Sequence, residues 1–421
     1  MSALRRVASG SVALASAALV ALAMAAPTSA RAASYATEGT CAGFPRVGLA
    51  VPAGWCLALV ADASSGLMFP RRILEVAPAR FWIVDMGSWE PKRGRLLQFD
   101  LPAARGAGPV AMTVIADKLD RPLGLALGPD GRVYVGEAGR IWRTRVALPI
   151  AQEPVLDHLP DDGAHPLKEI AFAPGGRMFV NVGSSSDACR DAANALPMPC
   201  SDLVGATPRA AVYEAVLGGP NLTVQSFKPY ASGLRNSLAL AWVGAPDERG
   251  VLLQGENSVD YRDEDAPNEE LNRLVAGKSY GWPHCVGAKQ VARGYEGRVD
   301  CAKTEAPAML WPAHAAPLQM VAVPSDAKNA FAGQLVVAWH GYRAGGHRIV
   351  GFGLDANGRP SGPARMWIDG WAARGKGHPL GTPAGFAVDS AGRLLVVEDR
   401  NRTLLMLVRD PAAAPPAATI R

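Results

Sequence analysis

A strand–turn–strand unit recurs along the chain, and it constrains the fold more than any other feature of the sequence. The clearest copy is RPLGLALGPDGRVYVGEAGRIWR, which begins at Arg121. It predicts a strand, a Pro-Asp-Gly turn, a second strand, and a glycine turn into a third strand. The other copies begin at Arg71, His165, Arg235, Ala316 and Thr382. Their spacing of roughly 45 to 80 residues is typical of four-stranded blades with insertions.

The rest of the pattern also favours an all-β chain. Sustained helical periodicity is almost absent, and 45 glycines and 34 prolines interrupt the sequence throughout. We therefore expect a six-bladed β-propeller, because closing the ring removes most of the exposed sheet edges. An open tandem of β-sandwiches is the alternative, and the recurring unit weighs against it.

The first residues have the pattern of a secretory signal peptide. Arg5 and Arg6 precede an apolar run from Val12 to Ala26, and a small-residue site ends at Ala32. This order predicts export to the periplasm or beyond, with cleavage near Ala32. A membrane anchor is the alternative, but the apolar run is short and rich in alanine.

Three segments follow from this interpretation: a signal peptide at 1–32, a propeller at 33–410 and a disordered Ala/Pro tail at 411–421. The formal net charge is +5, and arginines of the leader supply part of it. The remaining chain is close to neutral, which gives no electrostatic reason to expect nucleic-acid binding. No later segment is apolar enough to predict stable membrane insertion.

Six cysteines lie in three close couples, and an even number in an exported chain indicates disulfide bonds. The couples are Cys41 with Cys56, Cys189 with Cys200, and Cys285 with Cys301. Nearest-neighbour pairing is our hypothesis, because each couple brackets a loop-like segment. The sequence alone leaves the connectivity open, since six cysteines allow fifteen pairings.

Polar residues precede the first strand of each blade, and in a propeller these positions ring one mouth of the channel. They are Arg71, Arg72, Arg121, His165, Arg235, Asn236, His314 and Thr382. Guanidinium groups pair with carboxylates in a bidentate geometry, so the ring suits an anionic planar ligand. Salt bridges between blades are the alternative for each arginine taken singly.

Two further features suggest chemistry. His165 opens a blade strand, where a neutral imidazole is able to take a hydroxyl proton; a structural histidine bonded to a carbonyl is the alternative. The segment ENSVDYRDEDAPNEELNRL, at 256–274, is rich in carboxylates and suits Ca²⁺, although a solvated acidic loop is also consistent with it. Tyr280 and Trp282 in the following KSYGWP are candidates for an aromatic wall or for the core.

Several of these segments, in this order, resemble the glucose/sorbosone dehydrogenases: RN before a strand, LLQGEN, DEDAPNEELNRL, YGWP and PAHAAPL. The resemblance runs from about Leu59 to Leu407 and is nearest the sorbosone-dehydrogenase-like branch. It implies an exported six-bladed propeller that uses pyrroloquinoline quinone and Ca²⁺. Such an enzyme oxidises an aldose or related sugar aldehyde at C1 and passes electrons to an external acceptor.

The resemblance also implies roles for individual residues. His165 takes the place of the general base, and Arg235 and Asn236 match the pair that contacts the quinone. His314 and a basic residue among His340, Arg343 and Arg348 are expected to complete the cofactor site. The implied calcium site consists of the carbonyls of Ser258 and Val259 with the nearby acids Glu256, Asp260 and Asp265.

The chain departs from its relatives at Thr382, where the family commonly has an arginine. If Thr382 is the cofactor contact, the resemblance implies weaker quinone binding unless Arg374, Lys376 or His378 compensates. Two other functions therefore stay open. One is an inactive propeller that binds a sugar or a protein partner; the other is a Ca²⁺-dependent lactonase, against which the basic ring argues.

Overall fold

The computed structural model describes residues 35–106, 108–244, 250–355, 357–371 and 380–413. The predicted signal peptide and most of the predicted tail lie outside these residues. Within them, the regular structure consists of β-strands and three single-turn 3-10 helices, at Ala63–Ser65, Ser201–Leu203 and Cys301–Lys303. No helix in these ranges is long and apolar enough to cross a membrane.

Antiparallel strands follow one another along the described chain. They are β1 Thr37–Cys41, β2 Phe44–Val47, β3 Trp55–Ala61, β4 Pro70–Ala77, β5 Arg80–Asp85, β6 Gly94–Asp100, β7 Thr113–Leu119, β8 Leu125–Leu127, β9 Val133–Gly136, β10 Ile141–Thr144, β11 Glu153–Leu156, β12 Ile170–Ala173, β13 Arg177–Val182, β14 Ala211–Gly218, β15 Thr223–Ser232, β16 Ala239–Gly244, β17 Gly250–Glu256, β18 Glu269–Leu274, β19 Cys285–Val286, β20 Gln290–Val291, β21 Met309–Trp311, β22 Pro317–Ala322, β23 Gln334–Trp339, β24 Arg348–Leu354, β25 Pro360–Ile368, β26 Pro383–Val388, β27 Leu394–Glu398 and β28 Thr403–Arg409.

Six sheets form the blades, numbered here in chain order. Blade 1 contains β4–β7, blade 2 β8–β11, blade 3 β12–β15, blade 4 β16–β18 with β21, and blade 5 β22–β25. Blade 6 contains β26–β28 and the N-terminal strands β3, β2 and β1, while β19 and β20 form a separate hairpin. The first strands of successive blades contact one another around the ring, and β26 contacts β4. The six-bladed propeller predicted from the repeats is confirmed.

The sixth blade closes the ring with strands from both ends of the chain. β3 pairs with β28 in antiparallel register, from Leu404 opposite Ala61 to Arg409 opposite Trp55. The last blade therefore cannot be completed without the first strands, and the two ends of the propeller meet. Aromatic rings reinforce this junction: Trp367 lies 5.4 Å from Trp55 and 4.4 Å from Phe331, centroid to centroid.

A buried arginine closes the central channel. The Nε of Arg72, in β4, donates to Glu169 of blade 3 at 2.7 Å. Its terminal nitrogens donate to carbonyl oxygens of Leu238 at 3.0 Å, Leu318 at 2.5 Å and Ala384 at 2.8 Å. These acceptors belong to blades 4, 5 and 6, so one guanidinium joins five blades. Arg72 was predicted at the mouth of the channel; the prediction is wrong, because the side chain lies fully buried between the inner strands.

The three predicted disulfides are confirmed. Cys41 bonds Cys56, Cys189 bonds Cys200, and Cys285 bonds Cys301. The first joins the outer strands of blade 6, whereas the other two close loops near the channel mouth. Each bond constrains the unfolded chain and so favours the folded state.

Candidate active site

A cavity of about 470 Å³ lies at the mouth of the channel. Leu167, Leu238 and Leu318, which belong to an apolar collar formed by residues of all six blades, are part of its lining. The polar lining consists of Arg71, His165, Arg235, Asn236, Asn257, Ser258, Asp260, Glu269, His314, His340 and Arg343. The structure thus brings together most of the residues that the sequence singled out, from blades that are distant along the chain.

His165 lies in the loop before β12, with its ring fixed by Ser184. The Nδ1 of His165 is 3.0 Å from the carbonyl oxygen of Ser184 and 2.9 Å from its hydroxyl. A carbonyl oxygen only accepts, so Nδ1 carries the proton and Nε2 keeps a lone pair. Burial and the nearby Arg235 guanidinium lower the pKa of His165 to about 3. The imidazole is therefore neutral at physiological pH, with the lone pair of Nε2 unprotonated.

Arg235 precedes β16 and is held rigidly in the cavity wall. Its Nε donates to the carbonyl oxygen of Asp187 at 3.1 Å, and its Nη1 donates to that of Asn257 at 2.9 Å. Its Nη2 lies 2.7 Å from the Asp187 carboxylate and 2.9 Å from that of Asp260. The buried Glu256 accepts the backbone N–H of Arg235 at 2.5 Å, which fixes the backbone as well.

Asn236 leaves one acceptor unused. Its Oδ1 is buried and has no hydrogen-bond partner within the described ranges. A buried acceptor without a donor is costly, so such an atom is best explained by a group that binds there. Asn236 also lines the cavity, so a bound molecule with an N–H or O–H donor would lie close to this unpaired acceptor.

The fourth and fifth blades bring His314 and Arg343 together. His314 Nε2 lies 2.6 Å from the carbonyl oxygen of Asp263, which also accepts from Arg343 Nη1 at 2.9 Å. The loop that carries Arg343 approaches very closely, because a Cβ on Gly341 would lie only 1.8 Å from the His314 carbonyl oxygen. Only glycine fits at position 341, and its absence of a side chain sets the distance between the two loops.

Thr382 does not line the cavity, which corrects the expectation that it contacts a cofactor. It is fully buried, and its Oγ1 donates to Asp399 at 2.7 Å. The same carboxylate accepts from Arg71 Nη1 at 2.5 Å and lies 3.0 Å from His340 Nε2. Sequence reasoning missed Asp399 altogether. Its partners are distant along the chain, so no local motif marks the cluster.

The acidic loop does not assemble the predicted calcium ligands. Glu256 is buried and bonded to Arg235 and Gln254, and burial raises its pKa well above the usual range. Asp265 is exposed and lies outside the cavity lining, while Asp260 is paired with Arg235. The described ranges hold no cluster of three or more acidic, histidine or cysteine side chains suited to a metal. The side-chain part of the predicted set is corrected accordingly.

The backbone part of that set stays a prediction. Ser258 lines the cavity, and its N–H donates to Glu269 at 2.5 Å. Val259 is buried beside it, and its carbonyl oxygen accepts from Tyr261 at 2.9 Å. Burial raises the pKa of Glu269 to about 8, so this cavity carboxyl is protonated at neutral pH.

The aromatic residues at the mouth are not those that the sequence suggested. The Tyr280 hydroxyl donates to the Arg273 carbonyl at 2.5 Å, and Trp282 Nε1 donates to that of Asp187 at 2.9 Å, so both have structural roles. Trp89 and Tyr342 line the cavity instead, and both are more than half exposed. They are the aromatic faces available to a sugar ring.

The central part of the chain, which carries most of the cavity residues, is similar to a known protein family. Residues 150–343 match the family model described as Glucose / Sorbosone dehydrogenase. The resemblance to the glucose/sorbosone dehydrogenases is confirmed. The match is to a family of sugar oxidoreductases, and it spans His165, Arg235, Asn236, His314 and Arg343. No curated protein sequence matches the chain.

Solved structures with a similar fold include members of several sugar-active groups. The calcium structure of a family AA12 carbohydrate-active enzyme from Trichoderma reesei is 18% identical, covers 89% of this chain and 98% of its own, and has a TM-score of 0.67. The holo form of the pyranose dehydrogenase PQQ domain from Coprinopsis cinerea is 19% identical, with 88% and 99% covered and a TM-score of 0.67. The apo form of the soluble aldose sugar dehydrogenase from Escherichia coli is 15% identical, with 84% and 99% covered and a TM-score of 0.56. At these identities the likeness shows the fold alone.

The family match begins at residue 150 and ends at Arg343, so it leaves out the cavity lining from blade 1. Thr382 and Asp399 lie beyond the matched residues, and Arg71 lies before them. Arg374, Lys376 and His378, named above as possible replacements for an arginine at position 382, lie outside the described residues. The blade 1 lining of the cavity and the Thr382–Asp399 contact therefore have to be interpreted from their own surroundings.

Proposed function

We propose that the protein is an exported dehydrogenase that oxidises an aldose or related sugar aldehyde at C1, with pyrroloquinoline quinone as hydride acceptor. The observation that carries the proposal is the pairing, in one cavity, of a neutral His165 with the fixed guanidinium of Arg235. A proton acceptor beside a fixed positive charge is what removal of a hydroxyl proton and a hydride requires.

The cavity suits a planar polyanion such as this quinone. Arg71, Arg235 and Arg343 enter it from three different blades, and arginine is the residue best matched to carboxylates. The unpartnered Oδ1 of Asn236 offers an acceptor for a donor on the ligand. When bound, the quinone supplies the two-electron acceptor that the protein side chains lack. The PQQ domain named for the Coprinopsis cinerea structure supports this choice of cofactor.

Calcium enters the proposal through backbone atoms only. The acidic side chains first considered are engaged elsewhere, so the carbonyl oxygens at Ser258 and Val259 are the donors that remain from the predicted set. Carbonyl oxygens and water are suitable ligands for Ca²⁺. The calcium structure of the Trichoderma reesei enzyme supports keeping this ion in the proposal.

The chain's own residues then divide the chemistry. His165 Nε2 takes the proton of the anomeric hydroxyl, while the Nδ1–H bond to Ser184 fixes the orientation of the ring. Arg235 stabilises negative charge that develops during the transfer. The apolar collar and the buried Arg72 guanidinium close the floor of the cavity, and this limits the access of water from the channel to the reacting atoms.

One observation favours a second candidate, a propeller that binds a sugar or protein partner without catalysis. All three cavity arginines already have carboxylate partners: Arg71 pairs with Asp399, Arg235 with Asp260, and Arg343 with Glu264. Their positive charge is therefore partly neutralised before any anion binds, which lowers the attraction for an anionic cofactor.

Titration of the purified protein with pyrroloquinoline quinone, with and without Ca²⁺, separates the two candidates. We expect saturable quinone binding, followed by a change in the quinone absorbance spectrum when an aldose is added. The Arg235→Lys variant should bind more weakly, and the exposed Arg359→Lys variant serves as the matched control. Sugar binding by a protein that never binds quinone would favour the second candidate.

A further inference from the structure

A second histidine of the cavity is backed by a carboxylate. His340 follows β23 in blade 5, is buried, and lines the cavity. Its Nε2 lies 3.2 and 3.0 Å from the two oxygens of Asp399, which follows β27 in blade 6. A carboxylate accepts, so Nε2 carries a proton and Nδ1 is the ring nitrogen that a cavity ligand is able to reach.

Asp399 is fixed from several sides and stays ionised. Besides His340, it accepts from Arg71 and from the Thr382 hydroxyl. Burial alone would raise the pKa of Asp399, but His340, Arg71 and Thr382 lower it to about 2. An ionised carboxylate in this position stabilises the imidazolium that forms when the ring takes up a second proton.

The two histidines therefore differ in chemical character. His165 is backed by a neutral carbonyl and lies near the positive charge of Arg235, which keeps it unprotonated. His340 is backed by an anion, and it enters the cavity from blade 5 rather than blade 3. A neutral base and a site able to hold a proton are the two groups that a coupled proton transfer requires.

We propose that His340, positioned by Asp399, is a second proton-transfer residue of the cavity and acts as the acid that complements the base His165. The inference rests on the proposed function. In the step, the C1–H bond breaks and its electron pair leaves with hydrogen as hydride to the quinone. The O–H bond breaks, its proton goes to His165, and a C1=O double bond forms. His340, protonated on both ring nitrogens and held at Nε2 by Asp399, would give its Nδ1 proton to the oxygen that gains negative charge when the quinone is bound. Exchange with water then resets both histidines.

Other charged and titratable groups also lie around His340 and Asp399. Arg71 contacts Asp399 from blade 1, and Tyr342 packs against the ring at 5.1 Å, centroid to centroid. Glu398 lies next to Asp399 and accepts the N–H of Thr382; burial and the Asp399 charge raise its pKa to about 8. Asp399 is thus the carboxylate in direct contact with the His340 ring.

The first measurement uses the protein without quinone. The ring nitrogens of His340 are followed by NMR against pH in wild type and in Asp399→Asn. We expect the ring to take up its second proton at lower pH in the variant. The control is Asp389→Asn, which removes a buried carboxylate paired with Arg393 in the same blade, away from the cavity. An unchanged His340 titration in Asp399→Asn overturns the proposal, whatever the protein catalyses.

The second measurement uses the protein loaded with quinone and Ca²⁺. His340→Gln should lower kcat by about 10²-fold and remove one limb of its pH profile, because loss of a general acid typically costs that much. Quinone affinity should change little. Near-native kcat with weakened quinone binding would overturn the proposal, since His340 would then be only a contact for an anion. A wild type that never reduces quinone counts against the proposed function instead, and the NMR titration distinguishes the two failures.

Discussion

Gly183 packs so closely on His165 that a Cβ at position 183 would lie 2.6 Å from the His165 Cβ and 2.6 Å from its carbonyl oxygen. Gly183 directly follows β13, and the next residue, Ser184, holds the imidazole. The position of the candidate base is therefore set by a residue with no side chain and by a backbone carbonyl. Neither feature is visible as a motif.

Gly183→Ala should displace His165 without unfolding the blade. A misplacement of about 1 Å at a reacting group is able to cost on the order of 10²-fold in rate, and we expect a loss of that size in kcat. Steady-state kinetics of the quinone-loaded protein measures it. The control is Gly48→Ala, because no heavy atom lies within 4 Å of a Cβ built at Gly48. Equal activity in the two variants would show that the His165 position is not limiting.

The buried ion pair between Arg72 and Glu169 should contribute strongly to the free energy of unfolding of the propeller. Arg72→Met leaves Glu169 as a buried carboxylate without its partner, which typically costs about 3 to 5 kcal/mol. The double variant Arg72→Met/Glu169→Gln removes both charges and should recover part of that loss. Urea unfolding of wild type, Arg72→Met, Glu169→Gln and the double variant measures the four free energies. Strict additivity of the two substitutions would contradict a coupled pair.

The pH dependence of stability should carry a signature of Glu398. Burial, and then the neighbouring Asp399, raises its pKa to about 8, above its ordinary value of about 4.3. The stabilisation from a neutral Glu398 is complete at low pH and is lost as the pH rises through 8. Glu398→Gln should therefore make the free energy of unfolding fall less between pH 5 and pH 8 than in wild type. Glu38→Gln, at an exposed site, should leave the slope unchanged, and an unchanged slope in both would refute the assignment.

Removal of two different disulfides should have different effects on ligand binding but similar effects on stability. Removing either Cys41–Cys56 or Cys189–Cys200 with serines should cost about 3 kcal/mol, from the lost constraint on the unfolded chain. The Cys189–Cys200 pair begins two residues after Asp187, which holds Arg235. Only its removal should weaken quinone binding as well, and equilibrium titration of both variants tests this. Equal affinity in the two variants would mean that this loop does not position Arg235.

The fold was predictable because each blade repeats the same local information. Alternating apolar residues and Gly or Pro turns specify strands and hairpins wherever they occur, so six imperfect copies were sufficient to count the blades. The disulfides were predictable for a similar reason, since each bond joins cysteines that are close along the chain. Blade starts line the mouth, and for this reason the sequence also predicted the location of His165, Arg235 and Asn236 in the cavity wall.

The errors concern contacts between distant parts of the chain. Arg72 and Arg71 are neighbours in β4, yet alternation along the strand directs one to the axis and the other to the cavity. The sequence predicts Thr382 as a cofactor contact, but its hydroxyl donates a hydrogen bond to Asp399. Glu256 was taken for a metal ligand, but its carboxylate holds the backbone of Arg235. Sequence patterns indicate which residues face inward; they do not show which buried groups satisfy one another.

A single-turnover experiment tests whether His165 is the base of a quinone-dependent sugar oxidation. Wild type and His165→Gln are loaded with pyrroloquinoline quinone and Ca²⁺, mixed rapidly with an aldose, and followed by the quinone absorbance. We expect similar quinone binding in both proteins, and reduction slowed by about 10² to 10⁴-fold in the variant. Reduction at the wild-type rate in His165→Gln would contradict this role of His165.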